Sequence, residues 1–298
     1  MTDHIGRFAP SPSGPLHSGS LLAAVASYVD AKAHKGQWLL RIEDVDRHRT
    51  VEGSRDSILN CLEHHGLYWD GAIEHQTDND DRYEAALEQL QQQQQVFFCQ
   101  CSRAVLKQTS GPYPGTCRSK KTSHYIPATR HQPASHTLRF ECNEEAIDFT
   151  DRILGKQSFQ LAQLGDFILR RRDSLFAYQL AVVIDDAEQS VTSVVRGADL
   201  LSSTPWQIAL QQALNLPAMD YAHLPLITHA NNGQKLSKQT GALAINNSQA
   251  ANNIYVALTQ LGQQLPEQGQ RLSVEQLLTW AIDHWQINRI PKTALIAG

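Results

Sequence analysis

The chain has 298 residues, 41% of them hydrophobic, and a formal net charge of −4 at pH 7. That length and apolar fraction suffice for a sizeable core and exclude general disorder, while the acidic balance excludes a protein that coats nucleic acid indiscriminately. No apolar run approaches the roughly 20 residues of a membrane span, the N-terminus lacks a signal-peptide layout, and an odd count of five cysteines argues against a disulfide framework, so a cytoplasmic protein without membrane partners is expected.

Residues 4–9 predict a strand running into the proline-rich turn Pro10-Ser11-Pro12-Ser13-Gly14-Pro15-Leu16-His17. Leu21, Leu22, Val25, Tyr28 and Val29 then recur at helical spacing. Trp38 to Ile42 reads as a short apolar strand, and Ile58, Leu59 and Leu62 as a second helix stopped by Gly66. This alternation predicts parallel α/β layering. A polar helix from Asp80 to Gln95, with Tyr83, Leu87 and Leu90 on one face, ends in five consecutive glutamines, an exposed helical end.

From residue 98 to about 165 the rhythm gives way to cysteines, prolines and short alternating segments such as Thr137-Leu138-Arg139-Phe140. It resumes with Phe167-Ile168-Leu169, a helix from Phe176 to Val183, a strand from Val191 to Val195 and a helix from Pro205 to Leu214. For that last helix Thr204, Pro205 and Gln207 supply the N-cap, the first-turn proline and the capping-box acceptor. The expected organisation is a nucleotide-binding α/β domain in two halves, residues 1–97 and 166–240, an inserted α+β subdomain at 98–165, and a short helical region at 241–298.

An α/β fold binds nucleotides at the carboxyl ends of its strands, where the turn after the first strand and the following helix N-terminus face phosphate. His17 sits at that helix start, able to donate to the α-phosphate as charge builds there, and Gly19 lets a purine approach the backbone. Lys235 lies 218 positions further on, in Lys235-Leu236-Ser237-Lys238. Its two ammonium groups can follow the β- and γ-phosphates as pyrophosphate departs.

Together these motifs resemble the two signatures of class I aminoacyl-tRNA synthetases. Arg7-Phe8-Ala9-Pro10-Ser11-Pro12, Arg41-Ile42-Glu43-Asp44-Val45-Asp46-Arg47 and Val195-Arg196-Gly197-Ala198-Asp199-Leu200-Leu201 narrow the likeness to the glutamyl-tRNA synthetase family over most of residues 5–240. The resemblance implies a Rossmann-like catalytic domain, ATP and magnesium, and L-glutamate as substrate. On charge, Arg7 and Arg196 can each pair with a glutamate carboxylate, Glu43 can accept from the ammonium, and Ser11 and Tyr178 add neutral hydrogen bonds. Which arginine takes the side-chain carboxylate stays open. A structural ion pair is the other reading of Arg7, and a core aromatic that of Tyr178.

Sixty residues follow Lys238, too few for the large anticodon-binding region of ordinary members of the family. The shortened form with cysteines in its insertion is similar to a paralogue family that activates glutamate without tRNA and attaches it to the queuosine base in the anticodon of tRNA(Asp). That family implies a structural zinc held by Cys99, Cys101, Tyr113 and Cys117, with His124, His131 and Cys142 as alternatives for the fourth ligand. Cys61 reads as a core thiol. A truncated conventional synthetase for tRNA(Glu) and a non-catalytic regulatory paralogue are the competing readings, and a monomer is expected.

Two departures stand out: Gln239 replaces the usual final serine of the lysine motif, and the first motif reads His17-Ser18-Gly19-Ser20. Arg170-Arg171-Arg172 and Arg118-Ser119-Lys120-Lys121 are the candidate basic patches for a tRNA backbone, although such runs are commonly solvated faces. Substituting Lys238→Ala is expected to reduce glutamate-dependent ATP–pyrophosphate exchange nearly to background with the circular dichroism spectrum unchanged; exchange at the wild-type rate refutes the role of the lysine.

Overall fold

The computed structural model describes residues 4–108, 111–119, 136–228, 243–293 and 295–296. Lys235, Lys238 and Gln239, with Lys120, Lys121, His124 and His131, lie outside the described residues. Strand β1 (Ile5–Phe8) leads to helix α1 (Ser18–Ala33), and β2 (Gln37–Ile42) returns parallel to β1 with Phe8 opposite Leu40. The return is tight. The His4 carbonyl accepts from the Gln37 N–H at 2.9 Å and lies so near Gly36 that a Cβ there would stand 2.0 Å from its oxygen, so glycine is required.

Helix α2 (Ser54–His64), strand β3 (Glu74–His75) and helix α3 (Asp80–Gln92) complete the first half. Next come β4 (Val96–Cys99), α4 (Arg103–Gln108), β5 (Thr137–Phe140), the hairpin β6 (Ala146–Asp151) and β7 (Gly155–Gln160), α5 (Leu161–Leu164) and β8 (Phe167–Arg170). Helix α6 (Tyr178–Glu188), β9 (Ser193–Gly197), α7 (Thr204–Leu214), β10 (Asp220–Leu224) and β11 (Ile227–Thr228) follow. Helices α8 (Ala250–Gln260) and α9 (Val274–Asp283) precede the short strand β12 (Leu295–Ile296).

Seven strands form one sheet in the order β3-β2-β1-β9-β10-β6-β7, and β4-β5-β8 form a small antiparallel sheet. The large sheet is mixed, not purely parallel as the sequence rhythm predicts. All its pairings are parallel except β6 with β7. Asp151 Oδ1 accepts from the N–H groups of Ile153 and Leu154, and Gly155 adopts φ +82°, so the chain reverses within a few residues and can return only antiparallel. The stretch 98–165 therefore supplies strands to both sheets, and the small sheet is completed by β8 beyond it.

Two helix starts also differ from expectation. Helix α6 begins at Tyr178, and Phe176 instead bridges Arg170 in antiparallel pairing. Helix α7 has Ser203 at its N-cap with no side-chain capping bond, because Thr204 and Gln207 face a buried arginine described below.

One apolar cluster gathers α1, β2, α2, α8 and α9 around Val25, Trp38, Ile58, Leu258 and Leu277. A second joins α3, α6 and α7 to the small sheet through Leu87, Phe140, Phe167, Leu180 and Leu210. Helix α1 is buried on most of its circumference, which explains its run of alanines and β-branched residues where neighbouring backbones approach. No described helix is long and apolar enough to cross a membrane.

Asp30 of α1 ties the two ends of the chain together. Its carboxylate accepts from Arg152 Nη1 and Nη2 at 2.6 and 2.9 Å and from Trp285 Nε1 at 2.9 Å, with His4 Nε2 at 3.5 Å. Burial would raise its pKa, but the bonds from His4, Arg152 and Trp285 prevail and hold it below the ordinary 3.8. A depressed folded value means stability present above the unfolded pKa and lost as pH falls through the folded one. Asp30→Asn is expected to cost about 3–5 kcal/mol in urea unfolding at pH 7, with the gap closing only in strong acid; a neutral-pH loss near zero refutes the clasp.

Candidate active site

The loop between β1 and α1 is pinned at several points. Ser13 N–H donates to Ser11 C=O at 2.8 Å, Gly14 N–H to Ser54 Oγ at 2.6 Å, Glu43 N–H to Pro10 C=O at 3.0 Å and Ile245 N–H to Leu16 C=O at 3.0 Å. Gly14 takes φ +127°, a conformation that favours glycine. The loop delivers His17 to the N-cap of α1, with Gly19 in its first turn. His17 Nδ1 accepts from the Ser20 N–H at 3.3 Å, and Ser20 Oγ accepts from the His17 N–H at 3.0 Å. The unusual Ser20 thus closes a capping box, and an Nδ1 that accepts places the neutral ring's proton on Nε2, the state in which imidazole donates at the positive end of a helix.

Beside this loop lies a cavity of about 280 Å³ whose walls include Ser11, Glu43, Asp46, Gln76, Arg171 and Tyr178. It brings together Ser11, Glu43 and Tyr178 of the predicted substrate-binding residues. The Glu43 side chain is 7% exposed, and its Oε1 has no hydrogen-bond donor among the described residues. Burial raises its pKa to about 7, despite Arg41 and Arg7 pulling the other way. The Tyr178 phenol is pushed up to about 12 by burial and then by the Glu43 carboxylate, and it also feels Arg196 and Arg7. Those two arginines therefore complete the same electrostatic neighbourhood.

Arg7 and Arg196 are held differently. Arg7 forms a two-pronged pair with Asp186, Nε to Oδ1 at 3.1 Å and Nη2 to Oδ2 at 3.3 Å. Asp186 also accepts from Arg41 Nη2 at 2.5 Å. Arg196, 5% exposed, donates Nε to His223 Nε2 at 3.2 Å and Nη2 to Thr204 Oγ1 and Gln207 Oε1 at 2.8 and 2.6 Å. His223 Nδ1 in turn meets Asp151 Oδ2 at 2.6 Å. Burial lowers the His223 pKa against the Asp151 bond, so a neutral ring with its proton toward Asp151 presents Nε2 as the acceptor for Arg196. Arg196 Nη1 is buried and has no acceptor among the described residues. That orphaned charge-bearing donor suits an anion.

Sequence reasoning gave no role to Arg41, Asp185, Asp186, Asp151 or His223. A signal existed for two of them: Asp185-Asp186 interrupts the apolar helical run Leu180 to Ile184, and adjacent carboxylates on a buried helix need partners. Asp185 finds them in Tyr83 Oη, Gln76 Nε2 and Asn79 Nδ2, all within 3.0 Å.

A second cluster lies at the end of β4. The sulfurs of Cys99, Cys101 and Cys117 sit within 4.8 Å of one another, and Cys101 Sγ is 3.7 Å from Cys117 Sγ and 3.9 Å from Tyr113 Oη. All five cysteines are thiols, and this group could hold a metal ion. Cys142 stands apart, donating to the Gly165 carbonyl at 3.2 Å, and burial pushes its thiol up to about 12. Cys61 is a buried core thiol, likewise raised, to about 11.

The basic runs are engaged internally where they are described. Arg170 pairs with Glu84 at 2.7 Å, Arg171 with Asp46 and Asp173 at 3.0 and 2.7 Å, and Arg118 with Asp166 at 2.8 Å. Arg172 donates to the carbonyls of Gln100 and Cys101.

A largely parallel sheet with a capped helix after its first strand and a polar cavity beside that turn is the architecture of a nucleotide-dependent ligase domain. The family model for tRNA synthetases class I (E and Q), catalytic domain, matches residues 5–262, and the chain belongs to that family. Within it the chain is similar to proteins named glutamyl-Q tRNA(Asp) synthetase. Identity is 43% to that of Pectobacterium atrosepticum, over 98% of this chain and 88% of the relative, and 47% to that of Yersinia pestis, over 97% and 88%. Among solved structures it is similar to a glutamate tRNA ligase from Elizabethkingia meningosepticum in complex with its amino acid. That match has TM-score 0.82 and 25% identity, covering 100% of this chain and 67% of the other.

Glu43 has a stability signature. Its folded pKa exceeds the ordinary 4.5, so ionisation favours the unfolded chain: the penalty is absent below about 4.5, grows up to about 7 and is full above that. Glu43→Gln is therefore expected to stabilise the ligand-free protein at pH 8 by a few kcal/mol, roughly 1.4 kcal/mol for each tenfold change in proton affinity, and hardly at pH 4. Urea melts at the two pH values decide it, and a gain equal at both contradicts the buried, unmet carboxylate.

Proposed function

We propose that the protein activates L-glutamate with ATP, without tRNA, and transfers the glutamyl group to queuosine in the anticodon of tRNA(Asp). The observation that carries the reading is the opposed pair of unmet groups in one electrostatic neighbourhood, Arg196 Nη1 and Glu43 Oε1. An amino acid with a side-chain carboxylate supplies both complements. Its carboxylate meets Arg196, which the His223 and Thr204 bonds hold in place, and its ammonium meets Glu43 and the Tyr178 hydroxyl, with Ser11 alongside. Arg7, engaged by Asp186, sets the local field and keeps Asp186 ionised.

The α-carboxylate is ionised at neutral pH, so it attacks the α-phosphorus directly as pyrophosphate leaves, and no general base is required. His17 Nε2–H and the α1 N-terminus stabilise the charge that builds on the α-phosphate, with Lys235 and Lys238 assigned to the departing phosphates from sequence alone. Magnesium accompanies ATP, bound mainly by its phosphates. In the second step a hydroxyl of the queuosine diol attacks the glutamyl carbonyl carbon, the bond to the phosphate oxygen breaks, AMP leaves with the bonding electrons, and the hydroxyl proton passes to the departing phosphate or to water.

The cysteine cluster fits zinc. A tetrahedral ion with Zn–S bonds of about 2.3 Å has S–S edges near 3.8 Å, and Cys101 and Cys117 stand at 3.7 Å. Cys99, Cys101 and Cys117 would supply thiolates and Tyr113 a phenolate as fourth ligand; burial and the neighbouring thiols push the Tyr113 phenol up, while the Cys117 N–H donated to its Oη at 3.0 Å pulls the other way, so the ion's charge is what would ionise it. The role is structural. We read the protein as a cytoplasmic monomer.

Labelled glutamate offered to tRNA(Asp) with queuosine, to the same tRNA without it and to tRNA(Glu) tests the proposal. Label is expected on the first alone. Label on tRNA(Glu) favours a conventional glutamate ligase, and glutamate-dependent exchange with no labelled tRNA overturns the acceptor.

A further inference from the structure

With Glu43 Oε1 and the Tyr178 hydroxyl already assigned to the amino acid's ammonium, the cavity's unmet oxygens bring the acceptors to four against three ammonium N–H donors. Besides Glu43, two of its lining residues have a buried side-chain oxygen with no donor among the described residues, Asp46 Oδ1 and Gln76 Oε1. Both side chains are fixed by their other ends. Asp46 Oδ2 accepts from Arg171 Nη1 at 3.0 Å, and Gln76 Nε2 donates to Asp185 Oδ2 at 2.9 Å. An anchored acceptor left unmet away from water is unfavourable, and a ligand donor relieves it.

The neighbouring carboxylate of the same motif shows the contrast. Asp44 receives the Thr77 N–H at 2.9 Å on one oxygen, and the Thr77 hydroxyl and His75 Nδ1, both at 3.2 Å, on the other. Asp44 holds the fold of the loop, whereas Asp46 keeps an oxygen in reserve.

Topology indicates which substrate brings the donors. His17 follows β1 and Arg196 lies in β9, so the phosphate-facing and carboxylate-facing groups stand on β1 and β9. Asp46 and Gln76 follow β2 and β3, on the opposite side of β1. With ATP placed by its phosphates on the β1 side and the amino acid's ammonium assigned to Glu43, the remaining reactant is the acceptor nucleoside, whose base carries a pair of neighbouring hydroxyls besides those of its ribose. Two hydroxyl donors match two anchored acceptors.

We infer that Asp46 and Gln76 form the acceptor-nucleoside subsite, taking hydrogen bonds from the diol of queuosine and selecting it over the unmodified base. The inference rests on the transfer reaction proposed above. A site built to hydrogen-bond a hydroxyl discriminates strongly against an analogue lacking it, because its own buried groups are then left unpaired.

The test is the ratio of affinities of the full-length protein for tRNA(Asp) with and without queuosine, measured for wild type, Asp46→Asn, Gln76→Met and Arg171→Met. Wild type is expected to prefer the queuosine-bearing tRNA, and each acceptor variant to lose on the order of tenfold of that preference. Arg171→Met removes the partner of Asp46 but not its acceptor, so its loss is smaller. The Asp46 side chain is 31% exposed, so Asp46→Asn decides the matter even where Gln76→Met misfolds. No preference in wild type, an unchanged ratio in Asp46→Asn, or an equal loss in Arg171→Met overturns the subsite. Wild type that binds with the expected preference but transfers glutamate to neither tRNA overturns the proposed reaction, a distinct result.

Discussion

The architecture depends on a buried cluster of charge built around Arg41. This guanidinium is fully buried and sits among three carboxylates: Asp186 at 2.5 Å, Glu43 at 3.7 Å and Asp185 at 3.8 Å. Arg7 adds a second cation, donating to both oxygens of Asp186. Two cations facing three acids cannot all stay ionised cheaply in a low-dielectric interior, and the cluster resolves this unevenly. Asp186, clasped by both arginines, is held low, while burial pushes Asp185 up to about 6 and Glu43 to about 7. The unevenness has a functional side. The acid with an oxygen left unmet is the one on the cavity wall, and the ligand ammonium proposed above would complete a balance that the described residues leave incomplete.

The cluster draws its members from β1, β2 with the turn after it, and α6, which is why it organises the fold as well as the site. Arg7 is on β1, Arg41 on β2, and Asp185 and Asp186 on α6, while Tyr83 of α3 and Gln76 beside β3 secure Asp185. Removing either arginine or Asp186 would strand the rest, since a buried charge deprived of its counterion is far more costly than an intact pair is stabilising. The Arg196 arrangement follows the same logic at smaller scale: Asp151 fixes the His223 tautomer, and His223, Thr204 and Gln207 fix the guanidinium. Groups fixed in this way need little reorganisation when a ligand arrives.

What was readable in the sequence follows from the range of the interactions. The turn after β1, the helix it opens, and the positions of His17, Ser11, Glu43 and Tyr178 were legible because local spacing and short motifs carry them. The counterions were not: Asp186 is 179 positions from Arg7 and 145 from Arg41, and no local pattern links them. The misread cap of α7 has the same origin. Thr204 and Gln207 satisfy the local capping pattern, but a buried arginine donor outcompetes a helix terminus that other groups can satisfy. Arg170-Arg171-Arg172 looked like a basic face, whereas Glu84, Asp46 and the carbonyls of Gln100 and Cys101 take one arginine each. A charge run states what is available, not what it meets.

The residues after the lysine motif are built into the catalytic layer. Helices α8 and α9 join the core cluster of α1, the helix capped by His17, and Trp285 donates to Asp30 near the other end of that helix. Strand β12 pairs with β11, the last described strand before the lysine motif. The Ile245 N–H and the Ala244 bridge return the chain to Leu16 and His17 themselves. A segment that covers the apolar face of α1 and pairs with β11 and the histidine turn is part of the frame that holds that turn. Its loss would expose Leu22 and Val25 and would free the histidine turn from its backbone partners, so the catalytic fold and this segment stand or fall together.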